Sequence, residues 1–172
     1  NKALDILKFK QFFELPGNLE DKKRQNSIHE KLLKLKNKAD LEKEQTRNEK
    51  SNIKYVGLTI ETRPNYAKLE NANDMLRFGA TRVELRVQTN YGNVLDDIER
   101  GHSIQDSIDS TKTLKDLGFK INYHVMPGLP GVNKKQDLDA LKEYFSNENF
   151  RPDMLKIYPC MVLKGTKLFD LW

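Results

Sequence analysis

This chain alternates short apolar runs with helix-like segments. The runs cover residues 55–64, 81–89, 119–131 and 154–162. Strands that alternate with helices build parallel sheets, and binding sites gather at the carboxyl ends of such strands. No Gly-x-Gly-x-x-Gly loop follows a run, so the pattern points away from a dinucleotide-binding fold. Because a closed eight-unit barrel takes about 250 residues, we predict an α/β protein built as an incomplete (β/α) barrel.

Residues 1–50 differ in pattern from the rest of the chain. They read as helical, with a break at Pro16–Asn18 and one longer helix predicted from about residue 19 to residue 50. They hold 13 Lys/Arg against 9 Asp/Glu, a balance of +4, whereas residues 51–172 hold 17 against 16, a balance of +1. We therefore predict a basic helical segment over residues 1–50 and a barrel segment over residues 51–172.

The basic segment admits two interpretations. It is compatible with an RNA or DNA partner, and the phosphate contacts would then fall to Lys22, Lys23, Arg24 and Lys31. A solvated helical surface accounts for the same charges without a partner. We take RNA contact at these four residues as the hypothesis to test.

Composition excludes several classes of protein. Charged residues make up 32% and hydrophobic residues 37%, and no apolar run is long enough to span a membrane. Cys160 is the one cysteine, so an internal disulfide and a cysteine-rich metal site are excluded. No secretory leader is visible. We therefore expect a cytoplasmic protein without a membrane partner, and the initial Asn1 indicates a piece of a longer chain.

Polar residues stand at or near the ends of the first two predicted strands. Glu61 and Arg63 lie two apart, so both face one side of an extended strand, where they pair with each other or hold a zwitterionic ligand. Glu84, Arg86 and Gln88 share one face of the second strand. Three polar groups on one face need partners, so this face either lines a ligand cavity or carries a buried network that closes the barrel.

The later strands add further candidates. His124, followed by Met126, is either a hydrogen-bonded structural residue or a site residue. Lys156 and Tyr158 share a face of the last strand and either bind a ligand or line the wall. No second histidine or carboxylate stands at metal-ligand spacing, so we predict no metal site. The sequence assigns no catalytic residue, because no Ser-His-Asp arrangement, Cys-His arrangement or P-loop stands out.

A series of motifs is more specific than any single residue. The series comprises Gly57–Tyr66, Gly79–Leu85, Val87–Gln88, Arg100–His102, His124–Gly131, Phe150–Pro159 and Gly165–Leu168. In this order and spacing it closely resembles the radical S-adenosylmethionine domain of the Elongator catalytic subunit in its archaeal form, from about residue 53 to Trp172. Residues 1–50 resemble the more variable helical stretch that precedes this part of the family's domain.

The resemblance implies a tRNA-modifying acetyltransferase that acts on wobble uridine 34. Acetyl-CoA would supply a two-carbon unit, and S-adenosylmethionine beside a 4Fe-4S cluster would generate the 5′-deoxyadenosyl radical that leads to a carboxymethyl-type product. The partners implied are tRNA and acetyl-CoA, with a homo-oligomer or an Elongator-like assembly left open for the parent protein. The implied cofactor pocket is bordered by Glu61, Arg63, Glu84 and Gln88, with His124, Met126, Lys156 and Tyr158 lining the barrel interior.

Two departures from the family pattern bear on activity. The family's cluster-binding cysteines lie upstream of this stretch and its acetyltransferase domain downstream, so we expect this chain to be the later part of the radical domain and inactive alone. Arg86 stands where the family usually has glycine, and a long cation there would intrude on the cofactor pocket. A non-catalytic tRNA-binding scaffold is therefore the alternative. A third interpretation is a radical enzyme of the porphyrin or methylthiotransferase kind, which shares Gly128–Gly131 but not Arg151–Pro159.

Overall fold

The computed structural model describes residues 5–18 and 21–171. Backbone contacts divide the chain into two compact units, Asn1–Asn52 and Ile53–Trp172. The first unit is helical, and the second is built around a single β-sheet.

The N-terminal unit contains three helices, α1 (Ile6–Phe12), α2 (Lys22–Lys34) and α3 (Leu41–Glu49). Each begins at an aspartate whose side chain accepts backbone N–H groups of the first turn, namely Asp5, Asp21 and Asp40. The prediction of one helix from about residue 19 to residue 50 is therefore wrong. The chain leaves helical geometry after Leu35, and Asp40 caps a new helix five residues later. No apolar stripe continues through residues 36–40 to favour one unbroken helix.

The second unit contains a sheet of four parallel strands. They are β1 (Leu58–Thr62), β2 (Ala80–Gln88), β3 (Lys120–Val125) and β4 (Met154–Ile157), arranged in the order β1-β2-β3-β4. Within the described residues, a short 3-10 helix (Pro64–Tyr66) and five α-helices accompany them: α4 (Leu69–Arg77), α5 (Gly92–Asp97), α6 (Ile104–Asp116), α7 (Lys134–Ser146) and α8 (Lys167–Leu171). Strands in sequence order, linked by helical crossovers, make the open arc of a barrel. The predicted α/β class and incomplete (β/α) barrel are confirmed.

One face of the sheet is apolar and carries the core. Val83, Leu85 and Val87 of β2 alternate with polar residues, and Ile121, Tyr123 and Val125 do the same on β3. Residues of α4, α6 and α7 pack into the same cluster, including Met75, Leu114 and Tyr144. Because side chains alternate along a strand, burying this face turns the remaining side chains of β2 and β3 to the opposite, polar face.

Candidate functional site on the polar face of the sheet

Register places the polar side chains of all four strands on one face. Glu61 pairs with Glu84, Glu84 pairs with Asn122, and His124 pairs with Lys156. Partners in a parallel ladder project to the same side of the sheet. The structure thus brings together five side chains from four strands that are far apart in the sequence, and four of them are predicted site residues.

Glu84 is the centre of these five side chains, which we call the Glu84 group (Glu61, Glu84, Asn122, His124 and Lys156). Its carboxylate accepts from His124 Nε2 at 2.8 Å, from Lys156 Nζ at 2.5 Å and from Asn122 Nδ2 at 3.4 Å. The side chain is only 5% exposed. Burial alone would raise the pKa of Glu84, but the hydrogen bonds from Lys156 and His124 outweigh it and hold the pKa below its usual value. The same contact raises the pKa of Lys156, so carboxylate and ammonium stabilise each other's charged form.

Glu61 occupies the more exposed side of the group. Its Oε1 lies 3.2 Å from Arg86 Nε and 3.8 Å from His124 Nδ1. Of the two alternatives for Glu61 and Arg63, mutual pairing is absent from these contacts, because the guanidinium of Arg63 turns to the loop that follows α5. Strand periodicity gave the right face for Glu61 but could not select its partner.

Potential metal-ligand atoms of Glu61, Glu84 and His124 lie within 4.8 Å of one another. Sequence spacing misses this group, because its members come from three strands. Three cations already contact these carboxylates, since Lys156 and Arg82 lie beside Glu84 and Arg86 lies beside Glu61. A divalent ion would meet the repulsion of all three side chains. We therefore assign no metal here, and the absence of a metal site stays a prediction.

A cluster of three arginines lies at the carboxyl ends of β1 and β2; we call Arg63, Arg86 and Arg100 the arginine cluster. Arg63 Nη1 donates to the carbonyl of Arg100 at 3.2 Å, and Arg100 Nη2 donates to the carbonyl of Arg86 at 3.3 Å. Burial, followed by repulsion from Arg86 and Arg63, lowers the pKa of Arg100. Arg100 is a site residue that sequence reasoning misses, although its Arg-Gly-His motif was the available signal.

Gln88 ends β2 in a strained conformation. Its φ is +71°, a left-handed value that side chains other than glycine rarely adopt. The register of β2 against β3 shifts just before it, and its carbonyl accepts from Met126 N at 2.8 Å. Within the described residues, its buried Oε1 has no hydrogen-bond partner. Gln88 pairs with Val125 and lines a small cavity with Tyr144, so it lies on the apolar side of the sheet. The prediction that Gln88 shares a face with Glu84 and Arg86 is therefore wrong, because the register shift adds a residue to β2 just before it.

Met126 and Tyr158 complete the predicted set. Met126 follows β3 and lines a small cavity with Gln88, Thr89 and Tyr144. The ring of Tyr158 lies 5.4 Å from the imidazole of His124, tilted by 58°, and is partly exposed. Tyr158 therefore joins the Glu84 group through His124, whereas Met126 and Gln88 lie where the strands end.

The four predicted RNA-binding residues divide into two pairs. Lys22 and Lys23 are exposed at the start of α2. Arg24 instead donates to three backbone carbonyls, and Lys31 Nζ lies 2.6 Å from the carboxylate of Glu14. Arg24 and Lys31 thus hold the end of α1 and the loop that follows it against α2. Their donors are already engaged in hydrogen bonds within the protein.

Comparisons with known proteins agree with the barrel arc. The family model described as "Radical SAM superfamily" matches residues 22–144. The "tRNA uridine(34) acetyltransferase" of Methanocaldococcus jannaschii is 48% identical over 134 residues, which are 78% of this chain and 25% of that protein. The human "Elongator complex protein 3" is 45% identical over 124 residues, which are 72% of this chain and 23% of that protein.

Two solved structures share the fold. The structure of Methanocaldococcus infernus Elp3 with an N-terminal deletion matches at a TM-score of 0.76 and 47% identity, over 80% of this chain and 32% of that one. Coproporphyrinogen III oxidase of Escherichia coli matches at a TM-score of 0.57 and 18% identity, over 73% of this chain and 30% of that one, which supports the fold alone. The chain spans about a quarter of the length of the curated relatives it matches. Across the part of the chain that the structure describes, no helix is long and apolar enough to cross a membrane.

Proposed function

This chain belongs to the radical SAM superfamily, and on that premise we propose that it is part of an enzyme that modifies uridine 34 of tRNA. The observation that carries the proposal is the 48% identity, over 134 residues, to an archaeal protein named for that reaction. We propose that residues 1–50 and 51–172 act as separate parts of it, a helical RNA-contacting part and a barrel part. A cytoplasmic location and a homo-oligomeric or Elongator-like assembly are part of the same proposal.

Members of the superfamily use S-adenosylmethionine beside a 4Fe-4S cluster. The polar face fits the first of these, because it offers a carboxylate at Glu61 and cations at Arg63 and Arg100. S-adenosylmethionine carries hydroxyl and ammonium donors and one carboxylate, which are complementary to these groups. When bound beside the cluster, it supplies a radical that abstracts hydrogen from a second substrate.

The residues of this chain do not fit the cluster itself. A 4Fe-4S cluster in this superfamily takes three cysteine thiolates plus the cofactor. Cys160 is the one cysteine in the sequence, and burial raises the pKa of its thiol. We therefore derive no step through the cluster from this chain.

The hydrogen bonds of the Glu84 group determine which atoms on the polar face carry a proton. Because an ionised carboxylate only accepts hydrogen bonds, its contact with His124 Nε2 assigns the imidazole proton to that nitrogen. His124 Nδ1 faces Glu61 Oε1 at 3.8 Å. Lys156 stays an ammonium with donors left over, since a lysine has three and Glu84 takes one. We propose that His124, Lys156 and Tyr158 orient the bound cofactor and substrate, with Glu84 as the residue that positions them.

Acetyl-CoA and tRNA are the proposed substrates. Anionic substrates of this kind are consistent with the formal net charge of +5. Among the predicted RNA-binding residues, we assign phosphate contacts to Lys22 and Lys23, because Arg24 and Lys31 are engaged within the protein.

The proposal is tested with the full-length polypeptide that carries this sequence, reconstituted without oxygen. It is incubated with S-adenosylmethionine, acetyl-CoA and tRNA, and the tRNA nucleosides are analysed by mass spectrometry. We expect a carboxymethyl-type uridine at position 34 that disappears when Lys156 is replaced by Met, and persists in Lys112→Met, a change on the exposed side of α6. Unmodified tRNA together with intact S-adenosylmethionine would contradict the proposed reaction.

One observation favours the scaffold alternative. Arg86 already occupies Glu61, a residue assigned to the cofactor pocket. A scaffold would bind tRNA in the same preparation but would not cleave S-adenosylmethionine, so the assay separates the two functions.

A further inference from the structure

The ion pair between Arg86 and Glu61 is exposed to solvent on both sides. The Arg86 side chain is 48% exposed and that of Glu61 is 46% exposed, with 3.2 Å between Nε and Oε1. Exposed pairs of this kind contribute little to stability, because water solvates both ions well when they separate. A ligand that offers each ion a better partner can therefore open the pair at low cost.

The arginine cluster carries more positive charge than its carboxylate contacts neutralise. Within residues 5–18 and 21–171, neither Arg63 nor Arg100 has a carboxylate within ion-pair distance, and Arg100 Nε is buried without a hydrogen-bond partner. Both guanidinium groups instead donate to backbone carbonyls, Arg63 to that of Arg100 and Arg100 to that of Arg86. Of the three guanidinium groups in the arginine cluster, only that of Arg86 contacts a carboxylate among the described residues, that of Glu61. The surplus of two positive charges attracts an anionic group to the carboxyl ends of β1 and β2.

We propose that Arg86 is a cofactor-selecting residue that leaves Glu61 and holds the carboxylate at the amino-acid end of S-adenosylmethionine. This inference rests on the proposed function, because it takes S-adenosylmethionine as the ligand. Binding frees Glu61 to accept a donor group of the same ligand, while Arg86 joins Arg63 and Arg100 in facing its carboxylate. The bidentate geometry of a guanidinium suits a carboxylate, so Arg86 adds affinity for the amino-acid end and none for the nucleoside.

The alternative is that Arg86 only obstructs the pocket. The two cases differ in sign, because a residue that obstructs weakens every ligand, whereas a residue that binds a carboxylate strengthens only ligands that carry one. Two probes separate them: S-adenosylmethionine and 5′-methylthioadenosine, which has the same nucleoside and sulfur but no amino-acid end.

The experiment measures the Kd of both probes by calorimetry on the full-length polypeptide that carries this sequence, without oxygen. For Arg86→Gln we expect S-adenosylmethionine to bind at least about tenfold more weakly, because the variant loses a charge-assisted hydrogen bond. The Kd of 5′-methylthioadenosine should not change. Arg86→Lys should restore most of the affinity. Arg77→Gln removes an equal charge from the exposed face of α4 and should change neither Kd.

Equal losses for both probes, or tighter binding of both by Arg86→Gln, would overturn the assignment while leaving the proposed cofactor in place. If the unaltered protein binds 5′-methylthioadenosine but gains nothing from the amino-acid end, the assignment also fails. If it binds neither probe, the assignment fails together with the proposed cofactor.

Discussion

Glu84 Oε2 lies 2.5 Å from Lys156 Nζ, although the two residues are 72 positions apart in the chain. The same oxygen accepts from His124, so one buried carboxylate ties β2, β3 and β4 together on the polar face. Removing one member of such a buried group costs more than forming it contributes, because the remaining polar atoms lose their partner.

Replacing Glu84 by Gln should lower the free energy of unfolding by roughly 2 kcal/mol at pH 7, because Lys156 and His124 then lose a charged acceptor. Urea denaturation of both proteins measures the difference. The pKa of Glu84 is depressed below its ordinary 4.5 in the folded chain, so its contribution is present above pH 4.5 and is lost as the pH falls through the folded-state value. The difference between the two proteins should therefore shrink in acid. Glu148→Gln, an exposed change, is the control, and a gap that persists at pH 2 would contradict the assignment.

Two buried tyrosines should respond oppositely to loss of the hydroxyl. Tyr123 shares a hydrogen bond with Thr111, whereas within the described residues the Tyr144 hydroxyl has no partner. Tyr123→Phe should cost about 1 kcal/mol of stability, and Tyr144→Phe should be neutral or stabilising, because it removes a buried polar group that lacks a partner. Thermal unfolding of the two variants measures this. A larger loss for Tyr144→Phe would show that its hydroxyl is satisfied by a bound water.

Gly101 should tolerate alanine less well than Gly118 does. Both have a left-handed φ, +74° and +83°, which costs an alanine about 1 kcal/mol. A Cβ at Gly101 would also stand 3.0 Å from Arg63 Nη1, whereas nothing lies within 4 Å at Gly118. We expect Gly101→Ala to lose more stability and to weaken S-adenosylmethionine binding, because it displaces Arg63 from Arg100. Equal effects of the two changes on both measurements would argue against a role for this close approach.

Cys160 should behave as an ordinary partly buried thiol. Because burial raises its pKa above the ordinary 9.0, alkylation by iodoacetamide should be slow at neutral pH, with a midpoint above 9.0 in the rate profile. In the full-length polypeptide, Cys160→Ser should leave the iron content after reconstitution unchanged. A midpoint below 9.0, or a loss of iron in the serine variant, would identify Cys160 as a cluster ligand.

Much of the candidate site could be predicted because its signals are local. Two-residue periodicity placed Glu84, Arg86 and Gln88 on one strand face. The structure keeps Glu84 and Arg86 there, whereas a register shift moves Gln88 to the apolar side, beside Val125. Proline, glycine and charge spacing marked where the strands end. The prediction of a single helix between about residue 19 and residue 50 was wrong for an equally local reason. Asp40 caps a new helix, and the sequence pattern does not show whether this cap outweighs the weak apolar stripe that favours one continuous helix.

Partner choice lay beyond local signals. Arg24 and Lys31 have the composition of phosphate ligands, yet their donors go to Glu14 and to nearby backbone carbonyls. Glu61 has a cation two residues away at Arg63 but contacts Arg86 on the next strand instead. Such contacts depend on the distance between strands and on which side chains the neighbouring elements leave unpaired.

By itself, therefore, the sequence determined the strand–helix alternation and the polar character of one face, since both follow from side-chain geometry within a few residues. Tertiary structure decided that Glu84 meets Lys156 and His124, that Arg86 meets Glu61, and that Arg100 joins the arginine cluster. The reason is strand register. Packing of the apolar face on α4, α6 and α7 sets the register between neighbouring strands. Only in that register do polar side chains from distant parts of the sequence come within hydrogen-bond distance.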